Sequence, residues 1–215
     1  MDASSWILPL IIVAALGTTA AYFVGRRQNV NLMKYYASVM ELALKPSDQR
    51  YTWIGGYLGY KADYQMKDDA IKAVKVTLHL KPRMSVFYLP VSRFTMPRDR
   101  MYVVIESKRG LPGEAHLIKK GQYRLIPAGI EHIEQFRRRE LVLGGVEFEA
   151  LYLDSRGEKA IVGWAEAVRA EDYAMIKHLS FTASTNVVYA RMEPEERLIT
   201  SVLRTGLEFT RSLAR

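Results

Sequence analysis

Nineteen consecutive residues without a charge, Trp6 to Val24 in WILPLIIVAALGTTAAYFVGRR, constrain this chain more than any other feature. At about 1.5 Å per helical residue they extend roughly 28 Å, close to the thickness of a hydrocarbon core. Lipid offers no partner to backbone N–H and C=O groups, so a single segment that crosses it must be a helix. Pro9 falls in the first turn, where a missing N–H is tolerated. A cleaved secretory signal is the competing reading, and the small residues Thr18, Thr19, Ala20 and Ala21 keep it open. Its ends fit poorly: such a signal begins with positive charge, whereas here Asp2 precedes the run and Arg26 and Arg27 follow it. The expected organisation is a short external N-terminus over 1–5, a transmembrane helix over 6–25 and a cytosolic domain over 26–215. Arg26 and Arg27 set this orientation by the positive-inside rule.

About 190 residues beyond the anchor suffice for one domain with a sizeable core. The chain has no cysteine, which excludes disulfides, thiol nucleophiles and Cys-ligated metal sites. With Arg26, Arg27 and Asp2 set aside, 29 of the 31 basic and 22 of the 23 acidic side chains remain, a net charge of +7. A domain this basic beside a membrane is attracted to anionic headgroups or nucleic-acid phosphates.

Periodicity predicts an α+β domain with antiparallel strands and flanking helices. A helix from Asn29 or Asn31, either of which can cap it, runs to Lys45 or simply continues the membrane helix. The aromatic, glycine-punctuated YTWIGGYLGYKADYQ reads as strand, turn and strand, after a PSDQR loop. IKAVKVTLHL alternates, with Val74, Val76, Leu78 and Leu80 on one face, and MYVVIES and VEFEALYLD read as further strands. IPAGIEHIEQFRRREL reads as a short helix or irregular basic segment, SRGEK as a turn, EDYAMIKHL as a helix from about Glu171 and SFTASTNVVYAR as one strand. The closing segment has Pro194 at its first helical position and an apolar stripe of Ile199, Val202, Leu203, Gly206, Phe209 and Leu213. Glu195 and Glu196 at its start and Arg211 and Arg215 at its end complement the helix dipole.

None of the familiar catalytic spacings is present: no G-x-S-x-G, G-x-x-x-x-G-K, H-E-x-x-H or calcium loop. His79, His116, His132 and His178 are scattered along the chain, and the neighbours Glu131, His132 and Glu134 would point in different directions on a helix. The sequence therefore points to a non-enzymatic protein with no catalytic, cofactor or metal site and no evident small-molecule substrate. Two segments stand out. MSVFYLPVSRFTMPRDRM mixes methionines with aromatic residues and is broken by Pro90 and Pro97. Met84, Phe87, Tyr88, Leu89, Phe94 and Met96 either pack between two strands or form a plastic apolar docking surface. In QFRRREL, Arg137, Arg138 and Arg139 offer planar donors suited to phosphate, with Lys119, Lys120 and Arg124 as companions.

The order of these features resembles the calumin family, membrane proteins of the PAT chaperone complex at the Sec translocon of the endoplasmic reticulum. The features are a span with a basic flank, then a helix bearing Tyr35, Tyr36, Ala37, Met40 and Leu44, then the aromatic glycine stretch from Tyr51 to Tyr60. VTLHL with Lys81 and Arg83 follows, then Pro97 and Asp99 before the strand from Tyr102 to Ile105. The likeness covers residues 6–110 best and returns in VLRTGLEFTRSLAR at the end. The family's acidic lumenal region and Lys/Glu-rich coiled-coil tail have no counterpart here, so its lumenal calcium role is not implied. What the resemblance implies is a short relative of archaeal type in the cell membrane, or in the endoplasmic reticulum of a eukaryote. Its expected partners are the membrane, Sec translocon or insertase subunits and the ribosome with its RNA, in an accessory role during membrane-protein insertion. A membrane-tethered module that binds anionic lipid or RNA without that role is the alternative.

Overall fold

The computed structural model describes residues 6–213 except 86, 89, 90, 92, 93 and 123–129. The proposed external N-terminus, Leu89, Pro90, Arg124 and Arg215 therefore lie outside the described residues. Ile7–Leu44 form one unbroken helix, α1. The sequence left two choices for its second half, and the continuous one is found. Asn29 is accordingly not a cap but a buried residue inside the helix. α1 ends as expected at Lys45, in a left-handed conformation before Pro46.

Among the described residues nine strands form one antiparallel sheet: β1 Asp48–Ile54, β2 Gly59–Gln65, β3 Ile71–His79, β4 Arg100–Ser107, β5 Glu114–Lys119, β6 Arg137–Leu143, β7 Val146–Tyr152, β8 Ile176–Thr182 and β9 Val187–Met192. Their order is β1-β2-β3-β4-β9-β8-β5-β7-β6, so β1 and β6 are the edges. Two further helices are α2, Ser155–Ala167, and α3, Glu196–Leu213. The fold class is α+β, as the sequence predicts.

Five local expectations are corrected. β1 begins at Asp48, inside the segment read as loop. SRGEK is the first turn of α2, because Asp154 caps it by accepting a hydrogen bond from the Gly157 N–H at 2.7 Å. Residues 171–179 hold only the end of a 3₁₀ turn, Ala170–Asp172, and then the start of β8; the segment read as one strand after them contains a hairpin between β8 and β9. The basic segment holds a short 3₁₀ turn, Ile133–Gln135, but its three arginines lie in β6.

α1 packs against α3 and β2. Gly25, Asn29, Met33, Tyr36, Met40 and Leu44 make its buried stripe, spaced by three and four residues as one helix face requires. α3 buries Leu198, Ile199, Val202 and Leu203, and its Phe209 ring stacks on Trp164 of α2 at 5.1 Å. The side chains of residues 7–24 are exposed, apart from half-buried Thr18 and Ala21. α1 is long and apolar enough to cross a membrane.

Candidate membrane-facing collar

The apolar stretch of α1 ends where two loops close around the helix. The backbone after β3 crosses at Gly25: a Cβ there would stand 2.3 Å from the Arg83 carbonyl oxygen and 2.6 Å from the Met84 nitrogen. Only a glycine lets the two backbones approach so closely.

One turn later, Asn29 ties the same loop and the β1–β2 turn to α1. Its side-chain amide donates to the carbonyls of Tyr57 and Lys81, both at 2.9 Å, and its oxygen accepts from Arg83 at 3.0 Å. Arg83 holds Asp99 in a two-point ion pair at 3.1 and 2.6 Å, and Asp99 accepts the Lys81 N–H at 2.8 Å. Each member has its partners, which a buried polar group requires. Arg26 lies over the Tyr57 ring, 4.4 Å from its centre.

Next to this clamp the Met- and aromatic-rich segment turns outward. Phe87 and Phe94 are 84% and 87% exposed, and Tyr88 and Val91 are exposed as well. Of the two readings of this segment, core packing is the one not found for these residues. Met84 is half-buried and, with Ser85 and Phe87, lines a shallow cleft of about 550 Å³ against Thr18, Thr19, Tyr22 and Phe23 of α1. Met96 is half-buried.

Further along α1 the helix and edge strand β1 border a mainly apolar groove of about 360 Å³. Met33, Ala37, Tyr51, Trp53 and Tyr60 line it. Trp53 is 61% exposed. The Tyr51 hydroxyl donates to Glu41 at 2.5 Å; burial and this bond push Tyr51 upward, and burial and Tyr64 push Tyr60 upward, so both remain neutral. The groove opens about 12 Å along the helix from Gly25.

The basic residues predicted to meet phosphate are not brought together. Arg137, Arg138 and Arg139 lie in succession on edge strand β6, where neighbouring side chains point to opposite faces, so they cannot converge on one phosphate. Arg139 pairs with Glu158 of α2 at 2.6 Å. Lys120 pairs with Glu147 at 3.1 Å, whereas Lys119 turns inward and donates to the Ala174 carbonyl at 2.7 Å. His132 and Glu134 are exposed, 3.7 Å apart.

Sequence reasoning missed a buried pair. His116 of β5 and His178 of β8 meet at 3.1 Å, with Glu114 at 2.9 Å on the other His116 nitrogen. Burial, His116 and Arg191 hold His178 down to about 3; burial also lowers His116, against the pull of Glu114. Their adjacency follows from strand pairing 62 residues apart and left no local signal.

No protein-family model matches this chain, and a search of curated proteins returns no match. Among solved structures it is similar to the crystal structure of the mycobacterial trehalose monomycolate transport factor A, TtfA. The two are 12% identical over 81% of this chain and 92% of that chain, with a TM-score of 0.45. Likeness at this level bears on neither the activity nor the partners of this chain.

Proposed function

We propose that this chain is a non-enzymatic, single-pass accessory factor that shelters apolar segments of other membrane proteins as they insert. α1 is the anchor, and Arg26 and Arg27 keep the sheet domain on the cytosolic face. The observation that carries the reading is the groove between α1 and β1. It is mainly apolar, it contains an exposed Trp53 that suits varied apolar partners, and it opens close to the end of the apolar span. The order of features shared with the calumin family makes Sec translocon or insertase subunits and the ribosome the partners to test.

The test places a photo-crosslinking amino acid at Trp53 in the full chain, in membranes that translate a defined single-span protein. An adduct with the apolar nascent segment, absent when the segment is replaced by a polar one of equal length, is the expected result. Equal adducts with both segments, or none with either, would overturn the proposal.

A further inference from the structure

The segment after β3 leads directly into a strongly basic cleft. Arg98, Arg100, Lys119, Lys177, Arg191 and Glu193 line its volume of about 380 Å³. Two carboxylates stand against five cations there, and one of them, Asp99, is engaged by Arg83. The other, Glu193, is bonded by Arg98 at 2.6 Å and Lys177 at 2.7 Å. Arg100, Lys119 and Arg191 are left without a carboxylate at hydrogen-bond distance among the described residues. Arg100 instead donates to the Thr95 carbonyl, and the Arg191 Nε is buried without a hydrogen-bond partner among them. Burial, with Lys177 and Arg98 nearby, holds the Lys119 ammonium below its usual range. An anion would relieve this excess of positive charge.

The position of the cleft identifies the anion. Arg98 and Arg100 follow the exposed aromatic segment within a few residues, and Thr95 of that segment accepts the Arg100 bond. The same segment faces Thr18–Phe23 of α1 through Met84 and Phe87, across the shallow cleft that they line together. Those α1 residues precede Arg26 by three to eight positions, about 5–12 Å along the helix axis. If α1 spans a bilayer, Phe87 lies at the depth of the outermost acyl carbons, and the cleft lies at headgroup level beside it.

We infer that Met84, Phe87, Tyr88 and Phe94 and the cleft behind them form a second membrane-docking element, in which Phe87 enters the leaflet and Arg98, Arg100 and Lys119 hold the phosphate of an anionic lipid. Aromatic side chains at the interface and cations on phosphate are the contacts by which peripheral segments hold a bilayer. The inference rests on α1 being an anchor and is independent of the groove at Trp53.

Because the chain has no cysteine, a single nitroxide label can be placed at will. The full chain carrying Phe87→Cys or, as a control, Leu42→Cys is labelled and reconstituted in nanodiscs of phosphatidylcholine with a third phosphatidylglycerol. Label 87 should collide with oxygen rather than with a water-soluble nickel chelate, and label 42, exposed 16 residues beyond Arg26, should do the reverse. Native mass spectrometry of protein released from the same nanodiscs should find phosphatidylglycerol enriched at least threefold over its bulk share. R98Q/R100Q/K119Q should return the ratio to bulk while circular dichroism stays unchanged. A water-exposed label 87 overturns the inference and leaves the anchor intact, and failure of the chain to enter nanodiscs overturns both. Unenriched phosphatidylglycerol alongside saturable binding of inorganic phosphate would make the cleft a site for free phosphate, which also overturns it.

Discussion

From Ile7 to Val24 the side chains of α1 are exposed all round except at Thr18 and Ala21, whereas from Gly25 to Leu44 one stripe is buried and the rest is open. One helix thus has two relations to its surroundings, and the change falls at the collar. Eleven large apolar side chains between Trp6 and Val24 are exposed. At about 1.5–3 kcal/mol each, leaving them in water would cost on the order of 20 kcal/mol, more than a typical domain's whole stability of about 5–15 kcal/mol. The second half has its apolar partner within the fold and the first half needs one outside it. A helix that crosses from one environment to the other must be held where it crosses, and Gly25 and Asn29 do this by backbone approach and by hydrogen bonds.

The sharpest way to break this comparison is to truncate one apolar residue in each half. Met40 is fully buried, so Met40→Ala should lower the unfolding free energy of the sheet domain by about 3 kcal/mol, through lost transfer energy and a residual cavity. Ile12→Ala should leave it unchanged. Urea titrations of the full chain in detergent, followed by tryptophan fluorescence, compare the two. Equal losses would show that residues 7–24 pack on the domain after all.

At the crossing itself the expected effects are smaller. Asn29→Ala leaves the Tyr57 and Lys81 carbonyls and one Arg83 nitrogen short of a partner, a loss of about 2 kcal/mol. Gly25→Ala should cost about the same, since the loop backbone must move to admit the methyl group. Gly17→Ala is the control: a Cβ there meets nothing within 4 Å among the described residues, and the same titration should not detect the change.

The sequence shows the two halves of α1 unequally. The uncharged run announces the first half, and the alternation of β3, β4 and β7 announces half-buried strands. By contrast, β5 and β8 are interior strands, each with a run of four buried residues, so they carry no alternation and IKHL passes for the end of a helix. Arg137 to Glu140 hide the strand character of β6 behind charge, which suits an unpaired edge. Asn29 looks like a cap because its partners lie 28 and 52 residues away, and Phe87 and Phe94 look like core because composition cannot reveal that a segment faces outward. The collar was therefore legible only as a list of unusual residues.

Two buried polar clusters can also be compared by pH. Asn29 does not titrate, whereas His178, held down to about 3, stays neutral in the fold when an unfolded histidine would be charged. Below about pH 6.5 the unfolded chain binds a proton that the folded chain refuses, so stability falls as pH falls, by up to about 1.4 kcal/mol per unit for this one group. Above that pH it contributes no slope. His178→Gln should flatten the difference in urea midpoint between pH 6.5 and 5, and Asn29→Ala should shift the midpoint equally at both. An unchanged slope in the His178 variant would assign the acid sensitivity to His116 or to carboxylates instead.

The smallest effect is expected at the far edge of the sheet. Arg137, Arg138 and Arg139 are exposed on β6, and the Arg139 end of its ion pair with Glu158 lies in solvent, so the pair contributes little. Replacing all three by Glu should shift the urea midpoint of the domain only slightly. The full chain should remain in nanodiscs, and the phosphatidylglycerol enrichment expected of the cleft should persist, because no β6 residue lines it. Loss of that enrichment in the triple Glu variant, with the R98Q/R100Q/K119Q variant unaffected, would move the lipid contact from the collar to the edge strand. Both measurements use the same preparation, so the two basic regions are compared directly: one converges on a cleft beside an apolar segment, and the other is spread along an edge where neighbouring side chains face opposite ways.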